Sequence, residues 1–103
     1  MTIQLDHIMV PCRNKAASAR LLAELLGVPW AKSGIGPFAP VYVNDGLTLD
    51  FYETDEPFSL IHYCFRVSQD EFDAILGRIR AAGIPYRSRV HEPVDMSRHG
   101  TWR

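Results

Sequence analysis

Two six-residue stretches, LLGVPW at Leu25–Trp30 and AAGIPY at Ala81–Tyr86, close two helix-like segments in the same way. Gly27, Val28, Pro29 and Trp30 return as Gly83, Ile84, Pro85 and Tyr86 at an offset of 56, and tracing back through each helix brings His7 opposite His62 at an offset of 55. The chain is therefore one strand–helix–strand unit written twice, and any fold it adopts must let both copies bury the same kind of face. The first copy is followed by a hairpin; the second stops before an equivalent hairpin is written.

Local patterns place the elements. Ile3 to Val10 alternate between two faces and read as a strand ended by Pro11. Asn14 suits a helix N-cap, Ser18, Leu21, Leu22 and Leu25 recur at helical spacing, and Gly27 with Pro29 supplies a stop, so a helix is predicted over Lys15–Leu26. VPWAK is a possible short strand. FAPVYV and LTLDFYE flank the turn signal NDG and predict an antiparallel hairpin. Leu60–Val67 alternates as a further strand, and Ser68 opens a capping box with Glu71. The helix behind it carries Phe72, Ile75, Leu76 and Ile79 as its apolar stripe and ends at Gly83. IPYRSRV reads as a last strand and HEPVDMSRHGTWR as polar loop. The class is α+β: two βα units on a mixed, strongly curved sheet, with Leu21, Leu25, Phe72, Ile75 and Ile79 buried beneath the helices.

Alternation then separates a packing face from an open one. Ile61, Tyr63, Phe65 and Val67 share the bulky apolar side of their strand, and Leu49 and Phe51 share that of theirs. The opposite faces carry His7, Asp50, His62, Arg66 and Tyr42, with Thr48 and Tyr52 beside Asp50. Two imidazoles and one carboxylate make a donor set suited to Zn, Ni, Mn or Fe(II), with coordination positions left for substrate. On pattern alone a strand histidine is more often a partly exposed residue than a ligand, and Asp50 equally suits a turn or a pair with Arg66. The equivalence of His7 and His62 in a repeat favours the ligand reading.

Charge and composition remove other classes. With 11 Lys plus Arg against 12 Asp plus Glu, no basic field favours nucleic acid or an anionic membrane. No apolar run approaches the roughly 20 residues of a membrane helix, and MTIQLDHIMV lacks the basic start of a secretory signal. Cys12 and Cys64 form neither a disulfide framework nor a CxxC site, so both read as ordinary thiols of a cytoplasmic protein. At 103 residues, 47% hydrophobic and 22% charged, the chain has room for one domain. It divides into a first module at about 1–55 and a partial second module at about 58–103.

LDHIMV, the helix ending LLG, the hairpin VYVNDGLTLDFYE, the strand IHYCFRV and the helix ending AAGIPY together resemble the vicinal oxygen chelate superfamily. This is the group of glyoxalases, bleomycin-resistance proteins and extradiol dioxygenases. The resemblance runs from about Leu5 to Val90 and rests on the order and spacing of short motifs. It implies paired βαβββ modules curled into an open cup, the second incomplete here. In metal-dependent members the positions of His7 and His62 bind a divalent ion. Asp50 falls where the glyoxalase branch has a Glu ligand, and the fosfomycin-resistance branch uses no ligand there. A further Glu, usual on the last strand of the second module, would lie near position 106, past the last residue of this sequence.

The resemblance implies a metal-dependent glyoxalase- or dioxygenase-like enzyme acting on a small oxygen-chelating substrate, with metal ligands His7, His62 and Asp50. Tyr42, Tyr52 and Arg66 are the expected substrate contacts. The alternative is a metal-free, bleomycin-resistance-like binding protein using Trp30, Phe38, Tyr42 and Tyr52 as aromatic walls; a degenerate copy with no site is a third reading. A second module without its closing strands leaves an open sheet edge, which predicts a homodimer.

Overall fold

The computed structural model of the chain describes residues 2–87 and 93–94. Its elements are β1 (His7–Cys12), α1 (Lys15–Leu26), β2 (Ala39–Asn44), β3 (Leu47–Glu53) and α2 (Gln69–Ala81), an α+β fold. The chain divides into two units, Met1–His62 and Tyr63–Arg103.

In the first unit the three strands form one mixed sheet in the order β1-β3-β2, with β1 parallel and β2 antiparallel to β3. The parallel pair needs a crossover, and α1 supplies it. The helix spans the predicted residues because both ends are chemically marked. The Asn14 side chain accepts the Ala17 amide at 3.0 Å. Gly27 then turns out of the helix at φ 73°, a conformation glycine adopts without a Cβ clash, and both Gly27 and Val28 donate to the Ala23 carbonyl. The NDG hairpin forms as expected, held by a bond from the Gly46 amide to Asn44 Oδ1 at 2.8 Å. VPWAK contributes a single bridge, Trp30 to Val41, rather than a strand.

Strand β1 starts and ends later than the sequence suggests. Residues 2–6 lie outside the strand, although the Thr48 amide already donates to the Asp6 carbonyl at 2.9 Å. Pro11 does not stop it: Pro11 pairs with Tyr52 and Cys12 with Glu53. Within the described sheet β1 is an outer strand, where a proline's missing N–H need not break a ladder.

Register decides the core. Ile8 stands opposite Leu49 and Val10 opposite Phe51, while Val41 and Ala39 of β2 flank the same two residues. Leu49, Val41, Ala39, Phe51 and Cys12 are buried, together with Ala19 and Ala23 of α1. The expected stripe of Ser18, Leu21, Leu22 and Leu25 is thus corrected. Leu22 and Leu25 are half-buried and Leu21 is 48% exposed. Leu21 sits two residues from both Ala19 and Ala23, about 200° around the helix, so a face led by the two alanines turns Leu21 to solvent. Small side chains there bring the helix close to the sheet.

Leu60–Val67, read from the sequence as a strand, takes no strand assignment. Its alternation survives in part: Tyr63, Phe65 and Val67 are half-buried while Cys64 and Arg66 are exposed. The period of two is a property of extended backbone, whereas a strand also requires a hydrogen-bonded neighbour. In the second unit α2 begins as predicted: Ser68 Oγ accepts the Glu71 amide at 3.1 Å and Glu71 accepts the Ser68 amide at 2.8 Å. Glu71 is held below its ordinary carboxylate pKa by those bonds to Ser68. Of its expected stripe Leu76 is buried, whereas Phe72, Ile75 and Ile79 are half-buried. Among the described residues the second unit offers no strand for that stripe to close on. Gly83 ends the helix at φ 70°. Of the expected strand IPYRSRV, residues 84–87 take no strand assignment. Its remainder and the expected polar loop, apart from 93–94, lie outside the described residues.

The reversal of Leu21 and Ala23 gives a direct check. Ala23→Leu should destabilise the protein by about 1–3 kcal/mol through overpacking, whereas Leu21→Ala should stay within about 0.5 kcal/mol, as surface changes do. Urea denaturation of both variants measures this. Equal losses would place Leu21 in the core after all.

Candidate functional site

Because paired residues share a face, the register that buries Leu49 and Phe51 also builds the opposite surface. His7 pairs with Thr48, and Thr48 with Tyr42; Met9 pairs with Asp50, and Asp50 with Pro40; Pro11 pairs with Tyr52. These residues form rows across strands about 4.8 Å apart. Met9 and Tyr42 are exposed, and Thr48, Asp50 and Tyr52 are half-buried. Phe38 meets Tyr52 edge to face at 6.3 Å between ring centroids, giving this face an aromatic border.

His7 stands at the head of β1 with its side chain 59% exposed. Its Nδ1 lies 2.8 Å from Asp6 Oδ2. A proton on Nδ1 donated to Asp6 leaves the Nε2 lone pair as the one open to an ion. The His7 pKa is raised, first by this bond to Asp6, with the Asp6 charge and then the Asp50 charge adding to it against a desolvation that lowers it. The carboxylate of Asp50 is thus close enough to act on His7, as the alternation of β3 implied.

Asp6 is the residue that the sequence reasoning missed. Strict alternation assigns neighbours to opposite faces, but Asp6 precedes the strand and its side chain reaches round to its neighbour's ring. The only sequence signal was the adjacency of Asp and His at a strand start.

The other expected site residues are less gathered. His62 is exposed at the end of the first unit, and Arg66 is exposed in the second. Among the described residues no three His, Cys, Asp or Glu side chains cluster as a metal site. Cys12 is a core thiol: its Sγ donates to the Tyr52 carbonyl at 3.3 Å, and burial pushes its pKa up. Among the described residues no helix is long and apolar enough to cross a membrane.

Known structures share this fold. The oxidase ChaP-H2 is 41% identical, the likeness covering 91% of this chain and 73% of that one with a TM-score of 0.85. The oxidase ChaP-H1 is 38% identical over 86% and 71% of the two chains, with a TM-score of 0.80. A possible glyoxalase from Bacillus cereus matches at 20% identity over 80% and 76%, with a TM-score of 0.57. The chain belongs to the vicinal oxygen chelate superfamily. Within it, the likeness in sequence as well as fold is to the two ChaP-H oxidases, whereas the glyoxalase shares the fold alone. No family model matches the chain, and no curated protein does.

The Asp6 contact sets a pH dependence. A histidine whose pKa is raised by folding contributes stability that is fully present below its unfolded value, about 6.5, and lost as pH rises through the folded value. Asp6→Asn should therefore lower the His7 pKa, and Asp50→Asn should lower it by less, because Asp6 is the larger cause. NMR titration of the imidazole carbons reads both shifts; a larger effect from Asp50 would contradict this geometry.

Proposed function

We propose that the protein is a metal-dependent enzyme of the superfamily that oxidises a small substrate offering two neighbouring oxygens, with dioxygen as the electron acceptor. The observation that supports it is that His7, its Nδ1 beside Asp6 Oδ2, and Asp50 lie on the same sheet face of adjacent strands. The donors fit a divalent ion: neutral imidazole nitrogen and carboxylate suit Zn, Ni, Mn or Fe(II), and a carboxylate behind the ligating ring is the usual supporting partner. His7 through Nε2, Asp50 and His62 are the proposed ligands. A bound ion would supply Lewis acidity toward substrate oxygens. Oxidation is favoured over isomerisation by the likeness to two oxidases, each well above 30% identical.

The chain's own residues have separate tasks. Asp6 fixes the His7 tautomer and ring direction. Asp50 adds negative charge to the same face, and Tyr42 and Tyr52, the latter against Phe38, border the space where a substrate would lie. Arg66 is the proposed partner for a substrate's negative charge. We also propose a homodimer, in which the exposed Met9 and Tyr42 surface of one copy is covered by another. A second reading, a metal-free binding module, draws on the exposed Tyr42 and the half-buried Phe38–Tyr52 pair.

Plasma mass spectrometry of chelator-free protein should find a stoichiometric divalent ion that His7→Ala loses. Asp6→Asn should weaken metal affinity by about tenfold or more, as loss of an outer carboxylate does. In the unaltered protein, affinity should fall as pH drops through the raised His7 pKa, since proton and metal compete for the ring. Absence of any ion, with an aromatic compound still bound, would establish the second reading instead. Light scattering at micromolar concentration should show a dimer; a monomer would refute that part.

A further inference from the structure

We propose that Asp45 is a modification site, where the chain converts spontaneously to isoaspartate, and that Asn44 restrains the conversion. Asp45 is exposed at the tip of the hairpin between β2 and β3, and Gly46 follows it. The reaction is an attack by the Gly46 backbone nitrogen on Cγ of the Asp45 side chain. A C–N bond forms, the nitrogen's proton and the acid's hydroxyl leave as water, and a five-membered succinimide results. Water then reopens the ring. Cleavage between Cγ and the nitrogen restores aspartate, whereas cleavage between the Asp45 backbone carbonyl and the nitrogen leaves the chain running through Cβ and Cγ. One water departs and one returns, so the step needs no oxidant, reductant or cofactor.

Glycine opens this route, because a nitrogen beside a bare Cα approaches the carboxyl unhindered. The backbone does not require glycine there. The described glycines with positive φ are Gly27, Gly36 and Gly83, so Gly46 holds a conformation open to other residues. A Cβ at Gly46 would meet Gln4 Oε1 at 3.4 Å and Asn44 Oδ1 at 3.6 Å, ordinary van der Waals contacts. Alanine therefore fits the fold while crowding the nitrogen. Against the reaction, the same nitrogen donates to Asn44 Oδ1 at 2.8 Å, the bond an asparagine makes to the backbone two residues on. To attack, the nitrogen must give up its proton and turn toward Cγ, so that bond has to break first. Isomerisation lengthens the backbone of the turn by one atom, next to the pairs Asn44–Leu47 and Tyr42–Thr48 that set the β2–β3 register.

The test ages the full-length protein at neutral pH beside Asn44→Ala, Asn44→Ser and Gly46→Ala, then digests each with endoproteinase Asp-N, which cuts before aspartate and not before isoaspartate. A bond left uncut at Asp45, in a peptide of unchanged mass, counts the product. Asn44→Ala should isomerise about two- to tenfold faster than the unaltered protein, the factor that breaking one hydrogen bond before ring closure imposes. Asn44→Ser keeps an acceptor oxygen and should fall between the two, and Gly46→Ala should form almost no product. Amide exchange checks that Asn44→Ala keeps its hairpin. Isoaspartate absent from every sample, or formed as fast in Gly46→Ala, overturns the modification site. Equal rates with and without Asn44 overturn the restraint, as does acceleration accompanied by exchange quickened throughout β2 and β3.

Discussion

The parallel pairing of β1 with β3 in a single register governs the first unit. With Ile8 against Leu49 and Val10 against Phe51, every second residue goes under α1, and His7, Asp50 and Tyr42 are left on the other side. A slip by one residue would exchange the faces, placing Asp50 and His7 beneath the helix and the leucine and phenylalanine in water. Burying an unpaired carboxylate costs far more than a hydrogen-bonded ladder step returns, so the packing face and the polar face enforce the same register. The face that carries the candidate site is thus the other side of the core's own solution.

What was legible in the sequence were the features decided by neighbours along the chain. Asn14 and Gly27 bounded α1, the Asn44–Gly46 turn joined β2 to β3, and Ser68 with Glu71 began α2, each through bonds spanning a few residues. Features decided by distant partners were less legible. Hydrophobicity pointed to the leucines of α1 as its packing stripe, but close approach to the sheet selects the smaller alanines, a criterion that no hydropathy pattern carries. Leu60–Val67 displayed the period of a strand without the hydrogen-bonding neighbour that would make it one. The site followed the same division: Asp50 and Tyr42 fell on the expected face by alternation, while Asp6 depended on a side-chain turn just outside the strand.

The two carboxylates near His7 illustrate how position divides chemistry. Asp6 bonds the ring at Nδ1 and so governs which nitrogen is free; Asp50, a strand away and half-buried, acts through charge. Asp6 is well exposed, so its hold depends on geometry more than on a low dielectric, and exposed pairs of this kind are individually weak. A hydrogen bond that fixes a tautomer need not be strong, because the alternative tautomer has only to lose by a small margin.

The helices of the two copies begin differently. In α2 the Ser68–Glu71 box is self-contained: both orphan amides find partners within four residues, and the helix can start wherever the chain lies. In α1 the Asn14 cap is joined by a bond from the Lys15 amide to the Glu53 carboxylate, at 3.1 Å, which comes from the last residue of β3. An acidic group at a helix N-terminus also complements the helix dipole, so Glu53 ties helix formation to completion of the sheet. The carbonyl of Thr54, next in the chain, accepts a hydrogen bond from Arg13 Nη1. Helix start, strand end and the departure toward His62 therefore share one knot of residues, 12–15 and 53–58. The start of the first copy's helix is thus tied to its sheet, whereas the second copy's helix is specified locally, with Leu76 the buried residue of its apolar stripe.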